Sequence, residues 1–196
     1  MQAVILAAGK GLRLRPFTEK HPKPLIEINH QPLLEYTLGA LPSSIDKVII
    51  VVGYLGEQIV EHFGSYWNTK QIHYVKQTEL LGTGDALHRA KDLLQSPFLV
   101  LNGDDLYEKK DLEQLIALPN SMLVWQSQAT SNYGIVRNED NSFGGFSDQS
   151  SLINCGAYFL TEEFFSIPLV DVPVPNGIEY SLSLIHISEP TRQAEI

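Results

Sequence analysis

The sequence predicts an α/β fold of three layers, with a mixed and mostly parallel central sheet between helices. Three observations predict it. Short apolar runs rich in β-branched residues recur at 3–8, 47–52, 72–76 and 97–101. Segments with helical spacing fall between them at 32–41, 56–64 and 83–94, over short connections. After Asp111 the alternation stops: a helix over 111–117 precedes strand-like runs at 121–126, 133–138 and 153–160, closer to an antiparallel or mixed layer.

The elements follow from local chemistry. Pro32 is expected in the first turn of the helix over 32–41, where a missing N–H costs nothing. Gly82 and Gly84 permit a tight turn into the third helix, whose N-terminus is expected near Thr83, itself a candidate cap. In a sheet of this kind ligands sit beyond the carboxyl ends of the strands, where the strand order reverses. The loops after the early strands are therefore where chemistry is expected.

The 196 residues suit one domain, which at this length buries about 70% of its unfolded surface without a disulfide or metal staple. A hydrophobic fraction of 43% and a charged fraction of 19% are those of a globular chain. One cysteine, Cys155, excludes an internal disulfide framework and fits a reducing compartment. No apolar run, Val48 to Val52 included, is long enough for a membrane span. No basic region precedes Ala3-Val4-Ile5-Leu6-Ala7, so no signal peptide is expected, and a cytoplasmic location is. A net charge of −9 argues against nucleic acid as the main partner, while leaving room for a small anion held by local cations. Whether the chain forms a homo-oligomer is left open.

The last stretch, from Leu182, reads Leu-Ser-Leu-Ile-His-Ile-Ser-Glu-Pro-Thr-Arg and then Gln-Ala-Glu-Ile. It resembles the translation of a sequencing-library adapter, so 182–196 is expected to be a non-native tail and 1–181 an incomplete catalytic domain.

The first strand runs into Ala8-Gly9-Lys10-Gly11-Leu12-Arg13. Glycines at 9 and 11 let backbone N–H groups approach one anion, and Arg13 and Lys23 add mobile cations. A dinucleotide fingerprint would need a third glycine where Leu14 stands, and a P-loop would need Ser or Thr where Gly11 stands. The whole span Leu6-Ala7-Ala8-Gly9-x-Gly11-x-Arg13-x-x-Pro16-x-Thr18, then Pro22-Lys23-Pro24-Leu25, resembles the signature of the sugar-1-phosphate nucleotidyltransferases.

That resemblance implies a Rossmann-like three-layer fold of the nucleotide-diphospho-sugar transferase type. It also implies a reaction in which a sugar-1-phosphate oxygen attacks the α-phosphorus of a nucleoside triphosphate and releases pyrophosphate. Leu6, Ala8, Gly9, Gly11 and Arg13 would hold the nucleotide, and Lys23 would neutralise charge near the reacting phosphates. In-line displacement asks mainly for positioning and charge neutralisation, to which Arg13 and Lys23 are suited. The segment Gln77-x-x-x-Leu81-Gly82-Thr83-Gly84 resembles the family's base-recognition loop in its uracil or thymine variant, with Gln77, Gly82 and Thr83 at the base. UTP or dTTP is thereby favoured.

The fourth strand ends in Asn102-Gly103-Asp104-Asp105. Asp104 aligns with the family's Mg²⁺ ligand, a hard oxygen donor suited to a cation that bridges phosphates, and Asp105 is the lesser candidate. Gly134 and Asn154 fall on segments resembling the sugar-pocket strands. Asp148 stands where the family carries a glutamate before lysine and proline, and the lysine is missing. A second metal ligand is expected downstream of the sugar strands. Asn176-Gly177-Ile178-Glu179-Tyr180 resembles the loop just ahead of it, which points to truncation. Cytidylyl or guanylyl transfer to another phosphorylated substrate, or nucleotide-sugar binding without catalysis, are the alternatives.

Overall fold

The computed structural model describes residues 1–126 and 151–167, together with the strand backbones at 135–139, 142–146, 172–174, 177–179 and 193–194. Along the chain, β1 (Gln2–Ala7) leads to a small hairpin of β2 (Glu27–Ile28) and β3 (Gln31–Pro32), then α1 (Leu33–Ala40) and β4 (Lys47–Val52). Next come α2 (Gly56–Phe63), β5 (Tyr66–Trp67), β6 (Lys70–Lys76), α3 (Gly82–Ala90) and β7 (Phe98–Asn102). The later part holds α4 (Lys109–Leu115), β8 (Ser121–Gln126), β9 (Ile135–Glu139), β10 (Ser142–Phe146) and β11 (Leu152–Leu160). The short strands β12 (Val172–Val174), β13 (Gly177–Glu179) and β14 (Gln193–Ala194) follow.

The main sheet runs β10-β9-β11-β7-β1-β4-β6-β5, with β8 on the other flank of β11. β7, β1, β4 and β6 are parallel, and β11 is antiparallel to β7. From β1 the chain builds outward through β4 to β6, then returns to lay β7 on the other side of β1. The strand order thus reverses between β1 and β7, and their carboxyl ends frame the crevice.

Every residue of β1 is buried, which is why residues 3–7 read as an unbroken apolar run rather than an alternation. One face sends Ala3, Ile5 and Ala7, with Val48, Ile50, Leu99 and Leu101, against Leu34, Leu38, Ile59, Phe63, Leu112 and Leu115 of α1, α2 and α4. The other sends Val4, Leu6, Ile49, Val51, Phe98 and Val100 against Ala86, Leu87 and Ala90 of α3. No helix among the described residues is long and apolar enough to cross a membrane.

The expected elements form, with shifted ends. Pro32 stands in extended backbone immediately before α1, not in its first turn. α3 stops at Ala90 and a 3-10 turn, Lys91–Leu93, takes up most of the rest of the predicted helix. β10 was not expected: its central Gly144-Gly145 pair carries no strand signal. Of the tail expected at 182–196, Gln193–Ala194 pairs in parallel with Met122–Leu123, and the remainder lies outside the described residues.

Candidate active site

The carboxyl ends of β1 and β7, the loop after β1 and the start of α3 enclose a cleft of about 620 Å³. Its walls include Leu6, Ala8, Gly9, Gly11, Arg13, Lys23, Gln77, Gly82, Thr83 and Asp104. Residues expected at the nucleotide from four separate segments are thus brought together. Lys10, Leu80, Ala86 and Asn102 line it as well.

The loop after β1 folds into three 3-10 turns, Leu12–Leu14, Phe17–Glu19 and Lys23–Leu25. Gly11 sits in left-handed backbone (φ +60°), and a Cβ there would meet Thr18 Cγ2 at 2.8 Å and Lys23 Cβ at 3.2 Å. Thr18 is buried, and its hydroxyl donates to the Gly11 carbonyl at 2.9 Å, closing the loop on itself. Gly9 differs: a Cβ there would meet nothing within 4 Å. Among the described residues, the N–H groups of Gly9, Lys10 and Gly11 donate to no backbone carbonyl. Three such donors beside Lys10, Arg13 and Lys23 make a concavity suited to an anion.

Opposite, the turn after β7 is tied to β1 by the Gly103 N–H, which donates to the Leu6 carbonyl at 2.9 Å. Asp104 reaches back across the crevice and pairs with the Lys23 ammonium. Both side chains are about one third exposed, so the pair stands at the cleft surface.

Asp105 turns inward. Asn102 Nδ2 donates to its Oδ2 at 2.9 Å, and burial above all holds its carboxyl above the usual carboxylate range. The Thr37 hydroxyl donates to the Asp105 carbonyl at 3.2 Å. Tyr107 receives the Asn102 N–H at 3.2 Å and donates to the Gly156 carbonyl at 3.1 Å. Asp105 therefore holds the turn. Among the described residues no three carboxylate, histidine or cysteine side chains gather as a metal cage. A lone cleft carboxylate such as Asp104 is what a magnesium ion needs when phosphates and water supply its other ligands.

Gln77, at the end of β6, is only 4% exposed. Its Nε2 donates to the Gly82 carbonyl at 3.0 Å and to Asp85 Oδ2 at 2.7 Å. Leu81, not Thr83, occupies the cap position of α3; Thr83 is its second residue.

The sugar-side expectations fare differently. Gly134 and Asp148 lie outside the described residues. Asn154 does not line the cleft: its Nδ2 donates to Tyr158 Oη at 2.7 Å, and its Oδ1 accepts the Gly156 N–H at 2.9 Å. These bonds brace a bulge in β11, where Asn154 faces Val124 but Tyr158 faces Met122. Gly156 (φ +68°) is required there, because a Cβ would fall 2.0 Å from Asn102 Nδ2. Burial pushes the Cys155 thiol up to about 11, which disfavours the thiolate at neutral pH.

A doubly wound sheet with a glycine-rich, cation-flanked loop at its switch point defines the class: this is the nucleotide-diphospho-sugar transferase fold. The inositol-1-phosphate CTP transferase from T. maritima superposes with a TM-score of 0.80 over 98% of this chain and 84% of that one, at 20% identity. The chain belongs to the nucleotidyl transferase family, whose model matches residues 2–172. It is 35% identical over 185 residues to the bifunctional protein GlmU of Methanococcus maripaludis strain C7, covering 90% of this chain and 44% of that protein. It is 33% identical over 174 residues to the D-glycero-alpha-D-manno-heptose 1-phosphate guanylyltransferase of Campylobacter jejuni, covering 85% of this chain and 78% of that protein. The chain spans less than half the length of the GlmU relative.

Proposed function

We propose that residues 1–181 form the nucleotidyl-transfer part of an enzyme that joins UTP or dTTP to a sugar 1-phosphate, giving a nucleotide sugar and pyrophosphate. The observation that carries the reading is the cleft between β1 and β7, in which Gly9, Gly11, Arg13 and Lys23 face Asp104. Three N–H groups that donate to no backbone carbonyl and the cations Lys10, Arg13 and Lys23 suit a polyanion such as a triphosphate. Arg13 suits a fork of phosphate oxygens, while Lys23 offers a point charge close to Asp104. Asp104 would hold Mg²⁺, which when bound neutralises phosphate charge and polarises the reacting phosphorus. The protein's part is to align the two phosphates and exclude water; no covalent nucleophile is needed. Gly134, Asp148 and Asn154 are proposed on the sugar side.

Base choice rests on Gln77. The relatives' own names include guanylyl and CTP transfer, so membership of the family does not set the base. The test is a melt of the full chain with Mg²⁺ and each of UTP, dTTP, CTP, GTP and ATP. At 100 times its Kd a ligand adds about 2.7 kcal/mol. A shift with UTP or dTTP is expected; a selective shift with CTP or GTP overturns the base assignment, and no shift overturns the nucleotide reading. Asp104→Asn separates a catalyst from a binder, since only the former loses pyrophosphate release on a panel of hexose 1-phosphates.

A further inference from the structure

We infer that Asp85 is a positioning residue for base selection: it fixes the polarity of the Gln77 amide, so that the cleft presents an acceptor where the base edge lies. The inference rests on the proposed nucleotide reading and adds a residue to it. An amide side chain has two nearly isosteric ends, one donating and one accepting, and nothing in its shape says which faces a ligand. Here the environment decides. The carboxylate of Asp85 only accepts, so the end of Gln77 that meets Asp85 Oδ2 at 2.7 Å must be the NH₂ group. The second hydrogen goes to the Gly82 carbonyl at 3.0 Å. Both donors of Gln77 are consumed inside the protein, and Oε1 is what it has left to offer a ligand.

Asp85 is itself fixed. It is 8% exposed, and Arg89, one helical turn on, points Nε at Oδ1 (3.2 Å) and Oδ2 (3.4 Å). The bond to Gln77 is charge-assisted and the bond to Gly82 is neutral, so Asp85 supplies the stronger share of the hold. An acceptor in the cleft pairs with the N3–H of uracil or thymine. It opposes N3 of cytosine, which is also an acceptor, and two facing acceptors away from water are penalised more than a missing bond. UTP and CTP share ring size and triphosphate and differ at N3 and in the group on C4, so the change of their ratio between variants reads this polarity.

The experiment is titration of UTP and of CTP, each with Mg²⁺, into the full chain and two variants. In the unaltered protein UTP binds about 10- to 100-fold more tightly than CTP. In Asp85→Asn, whose amide can meet Gln77 either way round, that ratio shrinks about 3- to 5-fold. It does not vanish, because Gly82 still favours the same orientation. In Gln77→Ala the ratio falls to near one. If Gln77→Ala removes the preference and Asp85→Asn keeps it within twofold, the positioning role of Asp85 is refuted and the base reading stands. If Gln77→Ala leaves the ratio unchanged, or the unaltered protein prefers CTP, or neither nucleotide binds, the base reading fails and this inference with it. Should Asp85→Asn not fold, Asp85→Ser, whose hydroxyl also donates or accepts, carries the same expectation.

Discussion

The two glycines of the loop after β1 look equivalent in the sequence, yet alanine at each should fail in a different way. At Gly11 (φ +60°) an L side chain pays about 1–2 kcal/mol for left-handed backbone. The new methyl also meets Thr18 Cγ2 at 2.8 Å and Lys23 Cβ at 3.2 Å, and overpacking of this kind costs about 1–3 kcal/mol. Reduced freedom of the unfolded chain returns about 0.5 kcal/mol. Gly11→Ala should therefore be about 2–4 kcal/mol less stable, a fall in Tm of about 5–15 °C for a domain of this size. At Gly9 the methyl has no protein neighbour within 4 Å, so stability is unchanged or rises by up to about 1 kcal/mol. That methyl stands on the cleft wall, and UTP affinity should drop at least about tenfold if phosphate oxygens lie against this backbone. Paired melts and UTP titrations of the two variants decide the matter. Gly11→Ala as stable as the parent, or Gly9→Ala binding UTP as well as the parent, would show that the loop does not work as described.

Two further predictions concern buried polar groups. His88 lies against Phe164 and Phe165 with Nε2 buried and unpartnered, and burial first, then Lys91, holds its imidazolium below the ordinary 6.5. A depressed folded value means that the stability tied to neutral His88 is present above about pH 6.5 and is lost as pH falls below it. His88→Leu should gain on the parent in urea unfolding as pH drops from 8 to 5, and an identical difference at both pH values would contradict this. Lys70 is 8% exposed and donates Nζ to the carbonyls of Pro42 (3.1 Å) and Ile45 (2.6 Å). Lys70→Met leaves both acceptors short of a partner and should cost about 1–3 kcal/mol; a variant as stable as the parent in the same assay refutes that role.

What could be read in advance was what the backbone itself demands. Gly9, Gly11 and the Pro22-Lys23-Pro24 run declare a turning loop and a stiffened cation, and β1, β4 and β7 are written as unbroken apolar runs because both their faces are covered. What stayed hidden depends on partners far along the chain. Asp85 reads as an ordinary first-turn acid until β6 places Gln77 against it. Tyr107 and Asn102 look unremarkable until the left-handed turn at Gly156 brings β11 onto them. Asn154 falls on a segment that resembles a sugar-pocket strand, and its amide is engaged within β11. The bulge that occupies it follows from a register between β8 and β11 that no local pattern encodes.

β11 has a wider significance than its bulge. Its residues 157–160 pair with β7, its residues 152–153 pair with β9, and β8 lies along its opposite edge. Among the described residues, every hydrogen-bonded route from the four parallel strands to β8, β9, β10 and β14 therefore passes through this one strand. The protein is in effect grafted along a seam. On one side, the ladders that hold the β1–β7 cleft are complete without the later strands. On the other, β8, β9, β10 and β14 share no ladder with β1, β4, β6 or β7 among the described residues. A change in those far strands therefore reaches the cleft through β11.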